Sequence, residues 1–155
     1  MVTARHIYET APLGSLIRYG NGQPRPPEHF KRKVRAWQNE NGAGRLVKRR
    51  PATDTRPATL TLHLGDFESD NIIIMVAHKH FDLDGTETFE LIEPPMAGTV
   101  RVLTRDGDHD ELRYLAPDMT AAEQWMKEHR YANMRVEVVP YPDPVSVPND
   151  RKTAA

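Results

Sequence analysis

Seven consecutive residues read His78-Lys79-His80-Phe81-Asp82-Leu83-Asp84. Successive side chains of an extended backbone point to opposite faces, so His78, His80, Asp82 and Asp84 would share one face of a strand. Two imidazoles and two carboxylates are acceptable ligands for a divalent metal. A bound metal that activates water would make the protein a hydrolase or nuclease. The structural alternative is the polar end of a buried strand running into the turn signalled by Asp84-Gly85. A second group is cationic: Lys31, Arg32, Lys33 and Arg35, followed by Arg45, Lys48, Arg49 and Arg50. Such clusters neutralise phosphates and release condensed counterions, which is how proteins hold nucleic acid in a salt-dependent way. Lys31, Arg32, Arg35, Arg45, Lys48, Arg49 and Arg50 are the expected phosphate contacts. Gln38, Asn39 and Asn41 could read base edges, and Tyr19 and His29 could stack on unpaired bases. A solvated helix face, or ion pairs to carboxylates elsewhere in the chain, is the competing account of the same charges.

The charge distribution gives that alternative substance. The net charge is -1, but residues 1–52 hold eleven Lys/Arg against three Asp/Glu. Residues 53–119 hold five against fourteen. This asymmetry points to a polyanionic partner for the basic end, or to two halves that neutralise each other on folding. The acidic residues fall into turns: Asp66, Glu68 and Asp70, then Asp106, Asp108, Asp110 and Glu111. The first set lacks the central Gly and distal Glu of a calcium-binding EF-hand loop. An acidic face that mimics nucleic acid, or docks on a basic protein, is a further reading.

Other chemistry is excluded. There are no cysteines, hence no disulfides, thiolate zinc sites or Cys nucleophile. Ser15, Ser69 and Ser146 do not sit in a nucleophile elbow. Gly42-Ala43-Gly44 lacks the spacing and Lys of a phosphate loop. No cofactor is implied. No run of apolar residues is long enough to span a membrane, and the N-terminus has no apolar signal segment. A cytoplasmic protein is expected.

Elements must position these groups. Leu13–Tyr19 is strand-like and precedes the turn dipeptide Asn21-Gly22. Pro27 can open a helix that runs to Asn39, with Phe30, Val34 and Trp37 on one stripe and Lys31, Arg32 and Arg35 opposite it. Gly42 and Gly44 would end that helix. Arg45–Arg50 then forms a short strand or basic arm. Strands are expected at Thr59–Leu64, Ile72–Ala77 and Thr86–Ile92, and a hairpin at Thr99–Thr104 and Glu111–Leu115. A capping box at Thr120-Ala121-Ala122-Glu123 starts a second helix carrying Ala122, Trp125, Met126 and His129 toward a core. Met134–Val139 is a last strand. The order argues an α+β fold, with a mainly antiparallel sheet of five to seven strands and two helices in a single domain over residues 1–140. The basic helix and arm occupy residues 24–52, and residues 141–155 form a Pro-rich flexible tail.

Two resemblances accompany this reading. The segment from His78 is similar to the HxHxDH signature of metallo-β-lactamase-type hydrolases, but Leu83 stands where that signature has His. The stretch Tyr8–Tyr19 with Phe30, Trp37 and Gly44-Arg45-Leu46 resembles uncharacterised accessory proteins of bacterial plasmids and other mobile elements. That resemblance implies DNA maintenance, regulation or inhibition of host defence. The expected function is therefore a non-enzymatic binding protein whose basic module contacts nucleic acid or a nucleoprotein complex. The alternatives are a protein–protein inhibitor or adaptor of a mobile element and, third, a metal-dependent hydrolase.

Overall fold

The computed structural model describes residues 1–69 and 72–141, and the side chains of all of these except 66–69 and 72–76. The Pro-rich tail therefore lies almost wholly outside the described residues, as do the side chains of Asp66, Glu68 and Asp70. In chain order the elements are α1 (Ala4–Thr10), β1 (Leu16–Gly20), α2 (Lys31–Glu40), β2 (Gly42–Arg50), β3 (Thr59–Ser69) and β4 (Ile72–Asp82). There follow β5 (Thr88–Glu93), β6 (Val100–Asp106), β7 (His109–Ala116), α3 (Met119–Glu128) and β8 (Arg135–Val138). The described residues thus form an α+β fold with an antiparallel sheet. It has eight strands and three helices, against the expected five to seven and two.

The strands run in the order β4-β3-β2-β7-β6-β8. β2 forks the sheet. One of its edges carries β3, and the other is shared between β1 at Gly42–Arg45 and β7 at Lys48. β5 continues from β1. Burial follows the alternation. Leu46, Leu60, Leu62, Phe81, Leu103 and Leu112 face a core closed by Ala4 and Ile7 of α1 and by Ile17, Tyr19 and Phe89 of β1 and β5. A smaller cluster, Val100, Val102 and Ala116, packs under Ala122, Trp125 and Met126 of α3.

Four local expectations change. Residues 4–10 are helical because Thr3 caps His6 N and Ala4, Ile7 and Ala11 bury one side. Seven residues are too few for a clear periodic signal. α2 starts at Lys31 rather than Pro27. Residues 27–30 form a turn closed by Phe30 N on Pro27 O, and Phe30 leaves the helical region with ψ 73°. Gly42 and Gly44 do not terminate that helix but lie within β2. At Gly44 a Cβ would stand 2.8 Å from the His63 carbonyl oxygen, so glycine permits the close approach of β3. Finally, Asp118 and not Thr120 caps α3. Its carboxylate accepts from Ala121 N at 2.8 Å, and a negative charge at that end also suits the helix dipole.

Candidate functional site: a polar groove on one face of the sheet

The face of the sheet away from the main core is laid out in cross-strand rows. Arg45 pairs with His63 and His63 with His78. Lys48 pairs with Thr61 and Thr61 with His80, and on the other side Lys48 pairs with Glu111. Arg50 pairs with Thr59 and Thr59 with Asp82. A β-bulge makes this possible. Arg45 and Lys48 are three apart and would face opposite ways in a regular strand. The register shift between Leu46 and Lys48 inserts one residue and returns both to the same side.

Two adjoining clefts, each of about 480 Å³, hollow this face. The first is floored by Arg45, His63, His78, Glu111 and Arg113 and walled by aromatic rings. Trp125 stacks nearly parallel with Tyr114 (centroids 5.4 Å apart), His129 (4.1 Å) and Tyr131 (6.1 Å). α3 supplies Trp125 and its C-cap supplies His129, whose amide and ring both bond the Trp125 carbonyl. Arg113 lies 4.4 Å from the Tyr131 ring centroid and donates to Thr104 Oγ1. The second cleft is lined by Lys48, Arg50, Arg56, Thr59, Thr61, His80 and Asp82. The clefts adjoin because His63 and Thr61 alternate along β3, as do His78 and His80 along β4. Together they are lined by five Lys/Arg and two carboxylates.

The cations are not equivalent. The Lys48 ammonium is largely enclosed and bridges Asp106 (2.5 Å) and Glu111 (3.3 Å). The Lys48 hydrogen bond holds the Asp106 carboxyl below the usual range. Arg45 is anchored by the Gly14 carbonyl and Glu93. Arg50 lies 4.0 Å from Asp106, and Arg56 makes no ion pair among the described residues. Burial, and next the neighbouring His63, push the His78 imidazole below its ordinary pKa, with His80 and Arg113 adding to the shift. Glu111 opposes it. Thr61 Oγ1 and His80 Nδ1 are 2.7 Å apart.

The two groups singled out in the sequence are thus interleaved. Arg45, Lys48 and Arg50 share the groove with His78, His80 and Asp82. The other expected contacts lie elsewhere. Arg49 points to the opposite face, where it donates to the carbonyls of Tyr8 (3.4 Å) and Ala11 (2.7 Å) at the end of α1. Lys31, Arg32 and Arg35 are exposed on α2. That helix is tied to β4 by Lys79, which donates to Asn39 O and overlies Tyr19 and Phe81 on the side away from His78. The basic helix and basic arm are therefore not one surface, because strand alternation and the bulge direct the cations to different sides. Asp84 has left the strand and pairs with Arg5 at 3.1 Å. Leu83 is buried in the core, where it cannot serve as a ligand. Among the described residues no three His, Asp or Glu side chains gather as a metal ion would require. The acidic turn is also occupied: Asp106 by Lys48, Glu111 by Lys48 and by Arg113 (3.0 Å), and Asp110 by Arg105 and Arg135.

Sequence reasoning missed His63, Arg56, Arg113 and Tyr131 as site residues, and it turned Trp125 and His129 toward a core. Trp125 does pack against the smaller cluster, and both rings also line the cleft. The alternation of Thr59, Thr61 and His63 with buried leucines was a usable signal for a polar face. Nothing local joined it to the aromatic residues some sixty positions later.

With this geometry in view, comparison with known proteins adds a family and no activity. Residues 2–143 match a family described as uncharacterised conserved protein UCP036055. The chain belongs to that family. No curated protein and no solved structure matches it. The family description does not mention plasmids or mobile elements. Among the described residues no helix is long and apolar enough to cross a membrane.

Proposed function

We propose that the protein binds single-stranded nucleic acid in the groove on the polar face of the sheet. The observation that carries this reading is the layered aromatic wall of Tyr114, Trp125, His129 and Tyr131 beside a floor rich in Lys and Arg. Sequence-tolerant binding of single strands combines these two elements, with aromatic rings that stack on bases and cations that track the backbone. The five residues from Thr59 to His63 span about 13 Å of strand, room for a short stretch of extended backbone. Arg50 and Arg56 supply phosphate contacts at one end, and Arg113 supplies one at the other. Duplex is disfavoured because its bases are already stacked and their faces hidden.

The test is fluorescence anisotropy with a labelled single-stranded oligonucleotide at two salt concentrations. Binding should weaken as salt rises, with a slope of about -2 if three phosphates are neutralised. Trp125→Ala should weaken it by about tenfold or more, since a base–aromatic stack is worth roughly 1–3 kcal/mol. Absence of binding at low salt, or affinity indifferent to both Trp125→Ala and the pair Arg50→Gln/Arg56→Gln, overturns the reading.

A further inference from the structure

The floor of the aromatic cleft holds a feature that binding alone does not use. His63 and His78 sit directly opposite one another on β3 and β4, with ring centroids 5.4 Å apart and ring planes at 67°. Arg45 flanks them from β2, and Glu111 and Arg113 from β7, all within one cleft. His80 is next along the same face of β4, and His129 and Tyr131 close the far wall. His78 is open to solvent, so a backbone phosphate can reach it.

Resting on the binding reading above, we propose that His63 and His78 are a general acid–base pair that cleaves RNA at a phosphate held over them. The pair takes both roles of a 2′-hydroxyl transesterification. A ring nitrogen of His78 accepts the proton of the ribose 2′-hydroxyl as O2′ attacks phosphorus. The P–O2′ bond forms, the P–O5′ bond breaks, and protonated His63 gives its proton to the departing O5′. The products are a 2′,3′-cyclic phosphate and a 5′-hydroxyl. Proton exchange with water then restores the starting pair. Atoms and charge balance with no further reactant, and a 2′-deoxy strand is inert because it has no nucleophile.

The surroundings suit these roles. Partial desolvation of its ring and the neighbouring His63 bias His78 toward its neutral form, the state of a base. Arg113, and Arg45 on the other flank, can stabilise the charge that develops on the non-bridging oxygens. The aromatic wall would hold a base adjacent to the scissile phosphate and so fix the attacking sugar.

The experiment compares a labelled oligodeoxynucleotide containing one ribonucleotide with its all-deoxy counterpart, both in excess EDTA. The wild-type protein is expected to cleave only the first, 3′ to the ribonucleotide, leaving a 2′,3′-cyclic phosphate detectable by mass spectrometry. His78→Gln and His63→Gln should each lower the cleavage rate measured at saturating protein about 100-fold or more. Thermal melting of each variant tests that its fold is intact. Binding without cleavage overturns this proposal and leaves the binding reading standing. Cleavage that survives in the His63→Gln/His78→Gln double variant, or that EDTA abolishes, also overturns it. Failure to bind either strand overturns both readings.

Discussion

Two short segments of this chain are about equally basic, and the fold treats them in opposite ways. On α2, Lys31, Arg32 and Arg35 stand in solvent with no ion pair among the described residues. On β2, each cation is engaged: Arg45 with a carbonyl and Glu93, Lys48 between two carboxylates, Arg49 on the end of α1, and Arg50 near Asp106. A surface helix presents its polar side to water whatever lies nearby. A strand inside a sheet sets each residue against partners contributed from far along the chain. A run of cations is therefore not a binding surface until its secondary structure and its neighbours are known. Part of the contrast between a basic first third and an acidic middle is satisfied by ion pairs between them: Arg5 with Asp84, Arg18 with Glu90, Arg45 with Glu93, and Lys48 with Asp106 and Glu111.

Substitutions can sharpen this contrast. The largest effect is expected from Arg49→Ala. It strands two carbonyls at the end of α1 and should cost about 2 kcal/mol, seen as a fall in Tm of about 4–8 °C. Arg32→Ala should stay within about 0.5 kcal/mol of wild type by the same measurement. Equal losses at the two sites would erase the distinction.

Lys48→Met comes next. It leaves Glu111 and Asp106 facing each other without the ammonium and should cost about 1–2 kcal/mol in denaturant unfolding. In the Glu111→Gln background the same change should cost less, since the two residues share one interaction. Strict additivity would mean that Lys48 is held by packing rather than charge.

Binding should separate the segments in a different way. The groove pair Arg50→Gln/Arg56→Gln is expected to weaken oligonucleotide affinity by about tenfold and to flatten the salt dependence by roughly 1.4 in slope. The helix triple Lys31→Gln/Arg32→Gln/Arg35→Gln should change affinity by less than about threefold. The reverse ranking would move the interface to α2.

The smallest expected effect is on the pH dependence of stability. The His78 pKa is lowered on folding, so below the ordinary histidine value of about 6.5 the unfolded chain binds a proton that the folded chain resists. Stability should therefore fall as pH drops from about 6.5 toward the depressed value, and His78→Gln should remove that part of the slope. Asp106 acts lower on the scale. Its carboxyl is stabilised as the anion, so its contribution is present above the ordinary carboxylate range and is lost as pH falls through its depressed pKa. A stability profile unchanged by His78→Gln between pH 5 and about 7 would show that the imidazole is equally hydrated in both states.

The sequence by itself determined a good deal. Alternating Thr59-Leu60-Thr61-Leu62-His63-Leu64 marks a half-buried strand, and Leu60 and Leu62 are fully buried, whereas Leu64 is exposed where the register shifts between His63 and Gly65. Phe81 and Leu83 between His80, Asp82 and Asp84 report the same alternation. A second helix near Thr120 with an apolar side is a local signal as well, although its cap is Asp118 rather than Thr120. Short-range rules of this kind depend on two or four residues, and they need no partner. Two things depended on the tertiary structure. The first was which cations remain available, because their counterions come from strands sixty residues away, as Asp106 does for Lys48. The second was the groove itself. It needs a one-residue bulge in β2, a register that sets His63 against His78, and a helix placed so that Trp125 faces them. None of these distances is encoded within a single segment. They follow from how the strands are ordered and slid, which is settled only when the whole sheet closes on its core.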